Sequence, residues 1–156
     1  MSHLRLPAIA AVVGGLLAPA LAQNQPQEIR EQLIAADRSI WQAIAGPHPN
    51  IAQVRNALAA DYIDMELGVS HSREDVLKDL QSVTGFSFQY EHPRAFVLSP
   101  TSGYVIAELT YSSTSDGKTA GGRILTTTVY SKEHGRWIAH LHTEMDMPAA
   151  AGPAPR

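Results

Sequence analysis

The second half of the chain alternates between strand-like segments and tight turn signals, and this pattern constrains the fold more than any other feature. Apolar and polar residues alternate in each segment, and Thr, Val, Ile, Tyr and Phe are frequent, as is typical of strands with one buried face. The segments are 86–91, 104–113, 122–131 and 136–144, and 94–98 either resumes the first segment or pairs beside it. Short turns at 99–103, 115–118 and 132–135 connect them. Because such turns join antiparallel neighbours, the sequence predicts an antiparallel meander.

The first half of the chain has helical patterns. Apolar residues from Ile29 to Ile44 recur every three or four positions, which predicts a helix over 27–45. Asn50 is expected to cap a second, short helix. A short strand is predicted at 61–67. Helices gathered at the start and strands at the end indicate the α+β class, with helices covering one face of the sheet.

A third helix is predicted after the short strand. Ser72-Arg73-Glu74-Asp75 is close to a capping box, in which side chains and backbone groups of the first turn satisfy each other. Val76, Leu77, Leu80 and Val83 form the apolar stripe that follows, and Gly85 is expected to end the helix.

The N-terminus has the features of a signal peptide. A short basic start precedes an apolar run over 6–21, and Ala20-Leu21-Ala22 matches the small-x-small pattern that a signal peptidase accepts. We expect cleavage before Gln23, which predicts a secreted or periplasmic protein. A retained membrane anchor is the alternative, although the run is short and contains Pro19. The predicted organisation is a signal peptide at 1–22, one domain at 23–147 and a disordered tail at 148–156.

Composition excludes several function classes. The sequence contains no cysteine, so disulfides, thiolate metal sites and cysteine nucleophiles are impossible. The net charge is only −3, which gives no electrostatic reason to expect nucleic acid as a partner, or a membrane once the signal peptide is removed. No serine-nucleophile elbow, phosphate-binding loop or dinucleotide fingerprint occurs, and no cofactor is predicted.

Several short segments resemble those of SnoaL-like proteins in the nuclear-transport-factor-two-like (NTF2-like) superfamily. They are a first helix with a Trp, Leu58–Tyr62, Ser72–Leu77, Gly135–Trp137 and His140-x-His142-Thr143. The resemblance covers roughly 27–147 and implies a cone: three N-terminal helices packed in a strongly curved antiparallel sheet around a pocket, often as a homodimer. The family contains isomerases, dehydratases, hydrolases, cyclases and modules that only bind, so the fold does not fix the function.

The resemblance allows a test for isomerase chemistry. In ketosteroid isomerases the general base is an aspartate at the end of the first strand, and the matching position here is Leu67. Glu66 lies one residue earlier and is expected to point to the opposite face. The predicted pocket face therefore consists of Ile63, Met65 and Leu67, which would contact a small apolar molecule. Isomerase chemistry that uses an aspartate base at this position is therefore poorly supported by the sequence.

The densest titratable chemistry lies in the last strand. Strict alternation places Ile138, His140, His142 and Glu144 on one face, so both imidazoles would converge on one pocket. Neutral imidazole near pH 7 can accept or donate a proton, so His142 is the candidate acid or base, with His140 supporting it. The alternative is that both histidines only line the pocket or the surface.

Three further residues are candidates for ligand contact. Trp41 lies beside the apolar stripe of the first helix, where it either packs against the sheet or contacts a ligand. Glu108 lies on a strand, either in solvent or as a partner for a histidine, and Arg123 either clamps a carboxylate or lies in solvent. The two histidines with Glu108 or Glu144 would suit a metal, but spacing alone places no third ligand, so no metal is predicted.

Three functions remain open from the sequence. The first is a binding module for a small apolar molecule of unknown identity. The second is an enzyme performing isomerisation, dehydration or hydrolysis with a histidine acid or base. The third is a dimerising interaction domain without catalysis.

Overall fold

The predicted meander is present and forms two thirds of a six-stranded sheet. The computed structural model describes residues 18–66 and 68–148, with side chains from Pro26 onward. The elements are α1 (Ala18–Ile44), α2 (Ile51–Ala57), β1 (Leu58–Glu66), β2 (Val69–Ser72), α3 (Arg73–Asp79), a 3₁₀ turn (Leu80–Ser82), β3 (Val83–Ser99), β4 (Ser102–Ser115), β5 (Lys118–Glu133) and β6 (Arg136–Asp146). The α+β prediction is therefore confirmed, with the helices before the meander.

The sheet is curved, open and mixed rather than wholly antiparallel. Its strand order is β2-β1-β6-β5-β4-β3. The hairpin connections make β3 to β6 antiparallel, as predicted. In contrast, β1, which lies between β2 and β6, pairs parallel with β6. The parallel pair arises because α3 and the whole meander separate β1 from β6 in the chain, so no hairpin fixes their direction.

The predicted caps of the short helices are confirmed. The Asn50 side chain accepts a hydrogen bond from the Gln53 backbone at the start of α2. At α3 the capping box is complete, because Ser72 and Asp75 each accept a backbone N–H of the other. These bonds satisfy donors that the first helical turn leaves without partners.

Two helix boundaries differ from prediction. Helix α1 begins at Ala18, so Pro26 lies inside it rather than next to its start. The residues before Pro26 are mainly Ala, Leu and Gln, which favour helix. Helix α3 ends at Asp79, and Gly85 lies in β3 instead of terminating the helix. The helix ends in the 3₁₀ turn at Leu80–Ser82, and not at the glycine that was expected to end it.

The core lies between the helices and one face of the sheet. Every second residue is buried over 103–109 of β4 and 124–130 of β5, and this inner face packs on the apolar stripes of the helices. Leu33 of α1, Val54 of α2, Leu77 of α3 and Leu109 of β4 are almost completely buried there. The helices therefore cover one sheet face only, as expected for an α+β fold.

Part of the sequence lies outside the described residues. This holds for residues 1–17 of the predicted signal peptide, for Leu67 and for 149–156 of the predicted tail. Within 18–66 and 68–148, no helix is both long enough and apolar enough to span a bilayer.

Candidate functional site

A cavity of about 260 Å³ lies between the helices and the inner face of the sheet. Most of its wall is apolar and comes from all three helices, the 3₁₀ turn and the sheet. The apolar side chains in the wall are Ile40, Trp41, Ile44, Val54, Leu58, Val76, Leu80, Val83, Phe86, Ile124 and Ala139. The volume is close to the lower limit of ligand pockets in proteins, about 300 Å³. The cavity therefore suits a small molecule.

Trp41 lies in the cavity wall, where it packs against aromatic side chains of the sheet. Its ring stacks on Phe86 at 6.1 Å between centroids and meets the His142 ring edge-on at 5.6 Å. Phe86 in turn stacks on Tyr111 at 6.1 Å. The three aromatic rings form one continuous side of the cavity, and Trp41 connects it to the only imidazole among the described lining residues.

The face of β1 that lines the cavity is the opposite of the predicted one. Tyr62, Asp64 and Glu66 line the cavity, whereas Ile63 and Met65 are on the outer face with 44% and 45% of their surfaces exposed. The strand begins at Leu58 and its pairing with β6 is irregular between Leu58 and Ile63. Alternation cannot decide which face turns inward when such an irregularity precedes it. The predicted ligand contacts Ile63 and Met65 are wrong, and Leu67 lies outside the described residues.

A β-bulge separates the two histidines of β6. Tyr130 pairs with Ala139 and Val129 with Leu141, so His140 is an extra residue without a partner across the ladder. One extra residue reverses the alternation that follows it. His142 therefore lies in the cavity wall, whereas His140 lies on the outer face. The prediction that both histidines share a face is wrong.

His140 interacts with polar groups on the outer face. Its Nε2 atom lies 2.7 Å from the Ser131 hydroxyl and 3.1 Å from Glu133, and its Nδ1 atom lies 3.5 Å from Asp61. It therefore cannot support His142 directly. A metal site that uses both histidines is excluded by the same geometry, and no cluster suited to a metal occurs among residues 18–66 and 68–148.

His142 is buried and held at both ring nitrogens. Nδ1 lies 2.8 Å from the Thr128 hydroxyl, and Nε2 lies 3.3 Å from a Glu144 oxygen. Burial alone lowers the pKa of His142, but the hydrogen bond and charge of Glu144, with the charges of Asp64 and Asp37, outweigh burial and raise it. The imidazole is thus positioned by its contacts with Thr128 and Glu144, and the nearby carboxylates raise its pKa.

Parallel pairing places two more carboxylates beside this pair. Asp64 is the register partner of His142, and Glu66 is the register partner of Glu144. Burial raises the pKa of Asp64, and the charge of Glu144 adds to the increase, although His142 and His71 oppose it. Burial also raises the pKa of Glu66, with contributions from Glu144 and Asp64. The Oδ1 atom of Asp64 is buried and has no hydrogen-bond partner in the described part of the chain.

A fourth carboxylate, Asp37 of α1, lines the inner part of the cavity. It accepts hydrogen bonds from the Tyr130 hydroxyl at 2.7 Å and the Tyr90 hydroxyl at 2.8 Å. Burial and the Asp37 charge raise the pKa values of both tyrosines, so they remain donors. These two hydrogen bonds from tyrosine hydroxyls stabilise a carboxylate whose burial would otherwise cost free energy. Asp37 therefore has a structural role that Asp64 lacks.

Glu108 and Arg123 do not contribute to the cavity. They lie on the outer face of β4 and β5, where the Arg123 guanidinium donates to Glu108 at 2.9 Å and His92 lies 3.5 Å from the same carboxylate. Arg123 and Glu108 therefore interact with each other on the outer face, and neither side chain lines the cavity. The structure thus agrees with the surface alternative for both residues and gives no support to ligand contact there.

The sequence analysis missed Asp37, Tyr62, Asp64 and Glu66 as cavity residues. A signal for the β1 residues was present, because three polar residues alternate along a strand between two helices. The prediction placed these residues opposite the pocket because the position that resembles the isomerase general base is Leu67. Asp37 is buried on α1 between Leu33 and Trp41, each four residues away, so its helical spacing was the available signal.

Comparison with known proteins identifies the fold. No protein-family model matches the sequence, and no curated protein matches it. Solved structures do match. A candidate dehydratase of the NTF2-like family from Streptomyces avermitilis has a TM-score of 0.68 at 16% identity, covering 80% of this chain and 99% of that one.

Two other similar structures have different functions in their names. A ketosteroid isomerase-like protein from Erwinia carotovora atroseptica has a TM-score of 0.63 at 13% identity and covers 78% of this chain and 98% of its own. The association domain of CaMKII from C. elegans has a TM-score of 0.62 at 14% identity, with 78% and 95% covered. The chain thus has the NTF2-like cone fold, and the resemblance predicted from the sequence is confirmed at that level.

Proposed function

We propose that this domain binds a small, largely apolar molecule inside the cone. The cavity itself carries this proposal: it has a continuous apolar and aromatic wall, and all but one of its described charged groups lie on β1 and β6 beside or within the His142–Glu144 pair. Apolar walls with a few convergent polar groups are typical of ligand sites, because the wall supplies affinity and the polar groups supply orientation.

A matched pair of leucine variants tests the binding proposal. Leu80→Trp places a larger ring in the cavity wall, whereas Leu98→Trp adds the same ring at an exposed position of β3. Purified protein is screened by ligand-observed NMR against small apolar compounds. Compounds bound by the unmodified chain and by Leu98→Trp should be lost from Leu80→Trp. Equal binding by both variants would contradict a site in this cavity.

A second proposed function, acid–base catalysis, is supported by the His142–Glu144 pair. The buried imidazole is hydrogen-bonded to a carboxylate, and Asp64 with its free oxygen is the adjacent register partner. In this proposal Asp64 takes a proton from the substrate, and His142 donates one from Nε2 when the 3.3 Å contact to Glu144 gives way to substrate. Isomerisation, dehydration and hydrolysis all use such proton transfers.

The two histidines provide the control for catalysis. A β,γ-unsaturated cyclic ketone, 3-cyclohexen-1-one, is incubated with the protein in D₂O, and double-bond migration is followed by NMR. His142→Gln and Asp64→Asn should abolish the acceleration, whereas His140→Gln on the outer face should retain it. If the unmodified chain gives no acceleration, or if both His variants retain it, isomerase-type catalysis at this site is refuted.

A third proposed function is self-association through the outer face of the sheet. Ile63, Met65 and Met145 leave large apolar surfaces exposed on β1 and β6, and exposed apolar groups favour interfaces. The similarity to a CaMKII association domain supports the same proposal. Light scattering should give a dimer for the unmodified chain and a monomer for Met65→Lys. A monomeric unmodified chain would contradict it.

We also propose export to the periplasm or the exterior. The support is the sequence alone, namely the apolar run and the Ala20-Leu21-Ala22 site. Mass spectrometry of the protein recovered from a bacterial host should identify Gln23 as the first residue, in a periplasmic fraction. An intact N-terminus in the cytosol would contradict export.

A further inference from the structure

The charged groups of the cavity are nearly all acidic, which restricts the ligand. Among the described lining residues there are four carboxylates and one imidazole, and no lysine or arginine. Asp37 is satisfied by two phenols and Glu144 contacts His142. Asp64 and Glu66 form no salt bridge with the described residues. The cavity therefore contains two carboxylates that have no salt-bridge partner among the described residues.

We propose that the ligand is a small organic cation, an amine whose ammonium group lies between Asp64 and Glu66. The inference rests on the proposed binding function and adds the charge of the ligand to it. An ammonium group would donate to the Asp64 carboxylate, whose Oδ1 atom has no hydrogen-bond partner among the described residues, and would compensate the adjacent Glu66. Hydrogen bonds between charged groups are stronger than neutral ones, particularly where water is excluded.

The apolar part of such a ligand also has a defined place. Trp41, Phe86 and Tyr111 form a row of stacked rings along the cavity, and Tyr111 and Glu66 both line it. Aromatic faces attract cations as well as apolar groups. An aromatic or alicyclic amine would thus bury its ring against this row and direct its ammonium group toward β1.

The negative potential extends over several elements, and pKa directions are consistent with it. Burial and neighbouring carboxylates raise the pKa values of Asp64, Glu66, Tyr62 and Tyr111, the change expected where negative charge accumulates. The titratable groups that face this region are Asp37 on α1, Tyr62, Asp64 and Glu66 on β1, His71 on β2, Tyr111 on β4, and His142, Glu144 and Asp146 on β6.

Three probes of nearly equal size separate charge from shape. The full chain is titrated calorimetrically at pH 7 with 2-phenylethylamine, 2-phenylethanol and phenylacetate. The amine should bind about tenfold more tightly than the alcohol, since one charged hydrogen bond contributes at least that factor, and phenylacetate should bind most weakly. On lowering the pH to 5, the amine should lose affinity because the carboxyls of raised pKa begin to take up protons and the His142 imidazole becomes cationic, whereas the alcohol should change little.

Matched acid-to-amide variants locate the ammonium group. Asp64→Asn should weaken the amine about tenfold and leave the alcohol unchanged, whereas Asp61→Asn, on the exposed side of β1, should change neither. Thermal unfolding of both variants confirms that they are folded. Equal binding of amine and alcohol, tighter binding of phenylacetate, or equal effects of the two variants would overturn the cation inference alone. If no probe binds at any charge, the binding function fails with it.

Discussion

Replacing Asp64 by asparagine should stabilise the protein at neutral pH, although the substitution removes a group from the candidate site. The Asp64 carboxylate is partly buried, one of its oxygens has no hydrogen-bond partner among the described residues, and Glu144 and Glu66 lie nearby. His142 offsets only part of this cost, because the pKa of Asp64 remains raised. The amide has nearly the same shape and carries no charge.

The size of the effect follows from the cost of ionising a partly buried carboxyl beside other carboxylates, which is on the order of 1 kcal/mol. It is not larger because Asp64 is only partly buried and has His142 as its register partner. We therefore expect Asp64→Asn to raise the free energy of unfolding by about 1 kcal/mol at pH 7, which corresponds to roughly 3–5 °C in Tm for a domain of this length.

The pH dependence has a defined sign. A carboxyl with a raised pKa in the folded state destabilises the protein when it is ionised, so the cost grows as the pH rises through the folded-state pKa. Below the unfolded-state pKa, about 3.9, both states are protonated and the cost disappears. The advantage of Asp64→Asn should therefore be present at pH 7 and small near pH 4.

Urea unfolding followed by circular dichroism at both pH values measures this effect. Asp61→Asn is the control, because Asp61 is on the same strand with its side chain mostly in solvent, and it should change stability by less than about 0.5 kcal/mol. The reasoning is refuted if Asp64→Asn destabilises the protein at pH 7, or if its advantage is the same at pH 4.

Three further outcomes are expected from the same contacts. Tyr130→Phe should lower the free energy of unfolding by about 2 kcal/mol and Tyr90→Phe by about 1 kcal/mol. Both hydroxyls donate to the same buried carboxylate, but only Tyr130 is fully buried. Equal losses in urea unfolding would argue against this. NMR titration should give His142 a pKa above 6.5, and Glu144→Gln should lower it, since burial then dominates; an unchanged value would exclude Glu144 as the cause. Ser72→Ala should cost about 1 kcal/mol through the lost cap, and a thermal scan without a shift would contradict it.

The local elements were predictable because their signals are local. Asn50 and Ser72 cap helices where the sequence indicates, since a capping side chain contacts backbone groups only two or three residues away. Asp116 and Gly117 adopt the positive φ angles that a tight hairpin requires. The same independence from the rest of the chain explains why the class and the meander were correct.

The cavity was less predictable because its lining depends on strand faces. The faces of β6 were assigned by alternation, but the bulge at His140 places the two histidines on opposite sides. The faces of β1 were assigned from the position that resembles the isomerase general base, but the fold turns Asp64 inward and leaves Met65 outside. In both strands the secondary structure was predicted correctly, and the error lies in which alternate side chains face the cavity.

The sequence by itself determined the order of the elements apart from the short strand β2, their caps and turns, and the residues available for acid–base chemistry. Only the tertiary structure decided which of those residues meet. A one-residue irregularity in a strand reverses every later side chain, and pairing with distant strands decides where such irregularities occur. The parallel pairing of β1 with β6 brings Asp64 to His142, a contact between residues far apart in the chain that no local pattern encodes.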